Sequence, residues 1–429
     1  LAALMDALSA LTQGNRSILQ HFPASAPELT RNLVPYQLEG EEHVCGGVRY
    51  RVQLLSRSHH LSLKDLQGLP MAIEIKDAQG GGRIVSGIVS RSEQLLSDGS
   101  STLVQVEFRD ALSLLRLRKN QRVFRDLSVI DVTKQILGEH LQANPVLAAS
   151  FRFNTDDLTK NYPKRAFTHQ ASESDRHFLE RLWRQEGMAW HFRFTLEDDV
   201  PTHTLVLSDS NDAFKANPAG TVRYHRADAT EKTDTIVAWQ SWRELSVGAS
   251  QRDQHDYKTT KVSQAADASV LDQGKAGDDL ARTLIDYHYD AAHLANDAGH
   301  QGQMARSRIQ AHEFSSKGYR GESVVRQFAS GTCFTLSQHH DVDTHSADDR
   351  SFTLTSLFVY ARNNVRLDDR IGRSLFDGWQ YHVPRDETDG GHTGRTTEAP
   401  LYYNRFECVR SFVPVVPSFD PADVPDVRK

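Results

Sequence analysis

The 429 residues, 38% of them hydrophobic and 25% charged, are enough for two to four domains with a sizeable core. A net charge of −6 leaves no electrostatic footprint for nucleic acid, and no uncharged apolar run is long enough to span a bilayer as a helix. Three widely spaced cysteines, Cys45, Cys333 and Cys408, exclude a disulfide framework and a CxxC metal site, and they read as small buried hydrophobes of a protein folded in a reducing compartment.

The opening Leu1–Leu11 is short, carries Asp6 and has no basic flank, so it does not read as a secretory leader. If this chain leaves its cell, it is expected to go folded, by a route other than general secretion. Up to about Leu115 the pattern is one of short strands. Val48, Tyr50, Val52 and Leu54 alternate with Arg49, Arg51 and Gln53, the period of a half-buried strand. Ile73 and Ile75 follow, then the turn Gly80–Gly81–Gly82 and the run Ile84–Val89 with Gly87 inside it. Val104, Val106 and Phe108 alternate with Gln105, Glu107 and Arg109. Such strands, with a further turn at Asp98–Gly99, predict a small β-barrel, whose closure removes unpaired edges.

The pattern changes at Leu112. Ser128 and Asp131 have capping-box spacing and predict a helix that buries Val129, Val132, Ile136 and Leu137 and ends at Gly138. A second helix is predicted to start at Ser172, with Asp175 as its acid, and to stop at Gly187. Its stripe is Phe178, Leu179, Leu182 and Trp183, with Arg176, His177, Arg181 and Arg184 facing water. A strand follows at once, with Met188, Trp190, Phe192 and Phe194 opposite Ala189, His191 and Arg193. Residues 116–200 therefore read as an α/β insert with Trp183 in its core.

From His203 strands resume at Leu205 and Leu207, at Ile236 and Trp239, at Thr332–Leu336 and at Ser351–Tyr360. In the last of these Phe352, Leu354, Phe358 and Tyr360 are expected inside, and Thr353 and Thr355 outside. Helices are expected at about Asp278–Tyr289 and Ala298–Glu313, with the polar zone Ser246–Gly277 as a long excursion. The tail from Val413, with Pro414, Pro417, Pro421 and Pro425, favours an extended connector over a packed element.

No catalytic, cofactor-binding or metal-ligating residue is assigned. The chain lacks GxxxxGK[ST], GxGxxG, GxSxG and HExxH, whose fixed spacings let a backbone cradle phosphate or one helix face hold two ligands. His59–His60 and His339–His340 are adjacent pairs, and adjacent strand residues point to opposite faces. Asp156–Asp157 and Asp198–Asp199 read as loop and turn acids rather than an acid/base pair. The basic run Arg116, Arg118, Lys119, Arg122 and Arg125 has only Phe124 to offer a base for stacking, so it reads as a solvated or protein-contacting face.

One run carries a family likeness. Ala171–Ser172–Glu173–Ser174–Asp175–Arg176–His177–Phe178–Leu179–Glu180–Arg181–Leu182–Trp183, followed by Glu186–Gly187–Met188–Ala189–Trp190, resembles a hallmark of the VgrG spike proteins of bacterial type VI secretion systems. Arg116–Leu117–Arg118 through Arg122–Val123–Phe124 and Val129–Ile136 also resemble the family. So do Ser330–Gly331–Thr332–Cys333–Phe334–Thr335–Leu336 with His340, and Tyr403–Asn404–Arg405–Phe406–Glu407–Cys408. The likeness runs from about Leu11 to the end. Trp183–Arg184–Gln185 departs from it, standing where the family often has more acid.

The resemblance implies a mainly β fold similar to contractile-phage tail hubs, with two related β-barrel domains and an inserted α/β part. The expected division is a first barrel at 1–115, the insert at 116–200, a second barrel with helical excursions at 201–412, and a Pro-rich linker at 413–429. The implied function is structural and not enzymatic. A homotrimeric hub would join the Hcp tube ring to a puncturing spike tipped by a PAAR protein. Baseplate proteins, effectors or adaptors would be its other partners. Assembly would take place in the bacterial cytoplasm, followed by export through the type VI system. The alternatives are the hub of a contractile phage tail or tailocin, and the carrier part of a VgrG with a fused C-terminal effector enzyme.

Overall fold

A computed structural model describes residues 16–56, 61–77, 81–97, 102–225, 234–256, 260–291, 294–363 and 401–424. His59–His60, Gly80 and the expected turn Asp98–Gly99 lie outside the described residues. The first strands are β1 (Ile18–His21), β2 (Leu33–His43), β3 (Val48–Ser56), β4 (Pro70–Lys76), β5 (Gly82–Ser97) and β6 (Thr102–Arg109). After a short helix α1 (Ala111–Leu114) come β7 (Lys119–Leu127), α2 (Val129–Ala143), α3 (Pro145–Ser150), β8 (Phe151–Asp157) and β9 (Arg165–Ser174). The helix α4 (Asp175–Glu186) leads into β10 (Ala189–Glu197), β11 (Val200–Ser208), β12 (Lys215–Arg223) and β13 (Ile236–Arg243). An excursion holds β14 (Ala249–Asp256), β15 (Lys261–Ala268), α5 (Gly274–Ala281), β16 (Ile285–Asp290) and α6 (Ala298–Ser316). The chain ends with β17 (Lys317–Ser323), β18 (Thr332–Ser337), β19 (Ser351–Arg362) and β20 (Tyr402–Arg410).

Among the described residues twelve strands form one sheet. The order β1-β4-β5-β6-β3-β2 continues through antiparallel β2–β19 pairing into β19-β20-β17-β13, and β18 joins β19 to β12. Each half curls until its outer strands meet, and a stitch replaces a full ladder at the join. In the first half Asn363 donates to the carbonyls of Ile18 (3.1 Å) and Pro35 (2.8 Å) and accepts from the Ser17 N–H at 3.1 Å, tying β1 to β2. In the second half a single bridge, Tyr224 to Ile236, ties the end of β12 to β13. The expected pair of barrels is therefore a pair of nearly closed halves that share a sheet. Tyr50 stacks on Phe108 inside the first half (centroids 5.5 Å apart), and Trp239, Tyr319, Phe334, Phe352 and Phe406 form an aromatic cluster inside the second.

The insert packs beside this sheet. β7 and β9 form a two-stranded ribbon, and β8, β11 and β10 form a three-stranded sheet. The Ser128–Asp131 capping box is complete, each side chain bonding the other's backbone N–H. The helix does not end at Gly138 but runs to Ala143, because the stop is set by Pro145, which holds Asn144 extended. The second helix starts at Asp175, capped by Ser174 and not by Ser172, which lies in β9 with φ 59°. Its end is as expected, with Gly187 at φ 70°. Trp183 is fully buried, its Nε1 donating to Thr133 Oγ1 at 2.9 Å and its ring against Trp190.

Other expectations are corrected. Arg181 is buried, and it donates to Glu173 (2.7 Å) instead of facing water. Arg184 donates to the carbonyls of Cys45 (3.2 Å) and Ser418 (3.1 Å) and lies over the Trp190 ring. Arg176 is half-buried, held by Glu180 and Ser113. In β19 a register shift between Leu354 and Ser356 reverses the facing, so Leu357 and Val359 are buried while Phe358 is only half-buried, and Thr353 is buried. The stretch Asp278–Tyr289 is not one helix: α5 ends at Ala281, and β16 follows with Ile285, Tyr287 and Tyr289 alternating against Asp286, His288 and Asp290. Within Ser246–Gly277 the described residues include the antiparallel pair β14–β15, Ala249–Asp256 against Lys261–Ala268. The tail Val413–Phe419 is extended but packed, with Val415, Val416 and Phe419 buried and Asn211 clamping the backbone at Ser411, Val413 and Val415.

Trp183→Ala removes a fully buried indole and its hydrogen bond, and should cost about 3–5 kcal/mol in urea unfolding. Gly138→Ala should do the opposite. A Cβ there meets nothing within 4 Å, so the change should stabilise by about 0.5–1 kcal/mol in the same assay.

Candidate functional site

The buried charges of the chain sit at joints between elements. In β2 the inward parity of Leu38 and Gly40 continues to Glu42, so a carboxylate is forced inside. Glu42 accepts from Tyr50 Oη (2.5 Å) and from the backbone N–H of Ser330 (3.1 Å), and it is ion-paired with Arg83 of β5. Burial drives the Arg83 guanidinium down to about 10, while its contact with Tyr402 of β20 pulls the other way. One carboxylate thus joins β2, β3 and β5 of the first half to the loop before β18 of the second. Sequence reading assigned Glu42 no role, although strand alternation from Leu38 already placed it inside.

A second joint centres on Asp175, whose carboxylate accepts from Arg118 Nε (2.5 Å), His140 Nε2 (2.8 Å) and Gln170 Nε2 (2.8 Å). Burial raises its pKa, but these bonds and the Arg118 charge outweigh that, and the net shift is down. Glu139 bridges Arg118 and Arg122, so two members of the basic run are pinned to α2 and α4. Arg116, Lys119 and Arg125 remain exposed. At the far end of α4, Glu186 accepts from Arg165 Nη2 (2.5 Å) and from His300 Nε2 (3.0 Å). Its burial is offset by the Arg165 charge and the His300 bond, which leave it at about 2. Since His300 Nδ1 accepts from the Asn296 N–H at 3.3 Å, the ring proton sits on Nε2.

The motif residues find their roles at these joints. Asp175, Glu186 and Gly187 define both ends of α4, while Ser330 caps Glu42. Gly331, at φ 75°, lies against the His191 ring, which a Cβ would approach to 2.6 Å. Asn404 accepts from Ser323 Oγ (2.6 Å) and donates to the Val325 carbonyl (2.9 Å). Asp198 and Asp199 form the two-residue β10–β11 turn, both at positive φ as a type I′ turn requires. His339 accepts from the N–H groups of Asp341 and Val342 and stacks on His340. The cysteines are free and apart. Burial pushes the Cys45 thiol up to about 12. Among the described residues no three His, Cys, Asp or Glu side chains converge as metal ligands.

What the chain presents outward is a charge ladder across the shared sheet. On the first half Arg49 pairs with Glu41 (2.7 Å), and Arg51 with Glu39 (3.2 Å) and Glu107 (3.1 Å). On the second half Arg320 pairs with Glu407 (2.8 Å), and Arg405 lies over Phe358. An open groove of about 410 Å³ runs here, lined by Gln240, Arg320, Glu322, Phe358, Arg405 and Glu407 among others. The arrangement suits contact with another polar protein surface; at its rim the exposed Ser356 Oγ lies 3.1 Å from His43 Nδ1, with Glu41 3.9 Å from the other ring nitrogen.

A shared sheet of two curled halves with an α/β insert defines the class, and the chain belongs to the phage tail baseplate hub (GPD) family, whose model matches residues 41–365. Among its relatives are two type VI secretion system spike proteins of Pseudomonas aeruginosa. VgrG1a is 27% identical over 71% of this chain and 45% of its own length, and VgrG1b is 26% identical over 91% and 47%. The chain spans about half the length of these relatives. In fold it is similar to the E. coli c3393 protein, a type VI secretion component resembling the T4 tail proteins gp27 and gp5 (TM-score 0.58, 14% identity, covering 95% of this chain and 80% of that one). A tail protein from Neisseria meningitidis is similar over 93% of this chain and 99% of its own (TM-score 0.54, 11% identity).

Two histidines give the site a pH signature. Burial holds His191 and His203 at about 3, against an ordinary 6.5, and the Arg193 charge adds to the shift at His191. Between those values the unfolded chain binds protons that the folded chain refuses. Stability is therefore full above pH 6.5 and falls as pH drops toward 3, by roughly 1.4 kcal/mol per pH unit for each histidine. His203→Gln, which keeps an acceptor for the Ala111 N–H, should lower the slope of unfolding free energy against pH by about one proton. An unchanged slope contradicts the assignment.

Proposed function

We propose that this chain is the hub segment of a type VI secretion spike, a structural part that trimerises between an Hcp tube ring and the puncturing spike. The observation that carries the reading is the shared sheet. Each copy offers two curled halves, so three copies present six, which suits a sixfold ring better than any other small number. The division into a first barrel (1–115), an insert (116–200), a second barrel (201–412) and a linker (413–429) belongs to this proposal. So do the PAAR tip, baseplate proteins, effectors and adaptors as partners, and assembly in the cytoplasm before export. A chain of a Francisella PdpA-VgrG complex is similar in fold (TM-score 0.51, 11% identity, covering 98% of this chain and 62% of that one), which supports a protein partner here. A second reading, the hub of a phage tail, draws on the Neisseria tail protein, whose whole length this chain nearly matches.

Mass photometry of the full-length protein should give three times the subunit mass, and a stable dimer would sink the proposal. Co-incubation with Hcp rings should yield a complex, whereas binding only to a phage tube protein favours the second reading. Purified chain should show no peptidoglycan hydrolysis. Turnover that survives purification and disappears with a single carboxylate substitution would overturn the structural reading.

A further inference from the structure

The excursion ends in a sheet that is finished on one face only. Toward α6, Arg252 forms a buried pair with Asp290, and Asp286 a half-buried one with Arg308 and His312, so that side is closed by ion pairs. On the other face the edge strand β16 presents Ile285, Tyr287 and Tyr289 at alternate positions, and each is about half exposed (52%, 54% and 52%). Val262, on the opposite edge strand β15, is equally exposed. β16 pairs with β14 alone, and its far row of backbone groups forms no hydrogen bond among the described residues. An edge with alternating exposed apolar residues sticks to other chains unless something covers it.

Asp253, in the middle strand, says what should cover it. The residue is 8% exposed, its carboxylate is bonded by Tyr287, and Tyr289 stands opposite it in the β14–β16 register. One oxygen, Oδ2, accepts from Tyr287 Oη and Gln264 Nε2, both at 3.2 Å, while Oδ1 has no partner among the described residues. An unpaired buried carboxylate oxygen beside two aromatic rings is a receptor for a cation, which gains both a charge-assisted bond and the tyrosine faces.

We propose that this edge and face dock an extended segment of a partner protein that carries arginine or lysine at alternate positions. The segment adds a strand to β16, its backbone pairing with the free row. Its alternate side chains lie beside Ile285, Tyr287 and Tyr289, and a cationic one reaches Asp253. An acidic segment is rejected by the same carboxylate. The inference concerns the excursion alone and stands apart from the hub reading.

The test uses the whole chain and two fluorescein-labelled synthetic peptides, one alternating arginine with valine and the other alternating glutamate with valine. The arginine peptide should bind and slow hydrogen exchange across Ile285–Asp290, and the glutamate peptide should not. Asp253→Asn should weaken binding by about tenfold or more. The double change Tyr287→Ser and Tyr289→Ser should do the same in a chain that still melts cooperatively, the melting temperature falling because Tyr287 also donates to Asp253. If Asp253→Asn fails to fold, the tyrosine variant decides the question. Equal binding of both peptides, binding of neither, or indifference to the tyrosine changes overturns the proposal. So does protection of Ile285–Asp290 that rises with the concentration of the chain alone and is lost in the tyrosine variant, since the occupant is then a second copy.

Discussion

The pairing of β2 with β19 is the constraint on which the molecule depends. Without it the chain would be two separate curled sheets, and with it the sheet runs through twelve strands. Beneath this seam lies the Glu42–Arg83 pair, with Tyr50, Tyr402 and the Ser330 N–H around it. Burying such a pair brings little net stability, because desolvation offsets the attraction, but losing one partner strands the other at a cost of about 3–5 kcal/mol. The pair therefore acts on register. A one-residue slip of β2 would turn Leu38 and Glu42 outward and bring Glu39, Glu41 and His43 inward, burying charges that Arg83 alone cannot match.

The same logic recurs wherever the insert and the excursion meet the sheet. Asp175 collects donors from the loop before β7, from α2 and from β9, and Glu186 collects them from β9 and α6. Each is an acid whose partners come from elements far apart in sequence, so each fixes the placement of several elements at once. Glu42, Asp175 and Glu186 are each paired with a cation of the chain itself, which accounts for the shifted Asp175 and Glu186.

Much of this was legible in the sequence wherever a period or a cap governs the local structure. The strand alternation at Val48–Leu54, the Ser128–Asp131 box and the Gly187 stop all rest on interactions within a few residues. What was not legible depends on distant pairing. The bulge in β19 that turns Phe358 outward is set by its neighbour β20, and α4's arginines looked solvent-facing because their partners Glu173, Cys45 and Ser418 lie on other elements. The β16 strand was hidden inside a helical reading because its polar alternates, Asp286 and Asp290, are matched by ion pairs from α6 and β14. The tail's prolines correctly implied an extended backbone, but its packing comes from Asn211 and could not be read locally.

Through the seam the two halves act as one body. Native-state hydrogen exchange in increasing denaturant tests it directly, on the amides of Leu38–Glu42 and Leu357–Ala361 beside those of Val106 and Leu354 in the two cores. The claim predicts that the seam amides exchange only by global unfolding, with the same free energy as both cores. Exchange of the seam through a lower-energy opening that leaves both cores protected would contradict it.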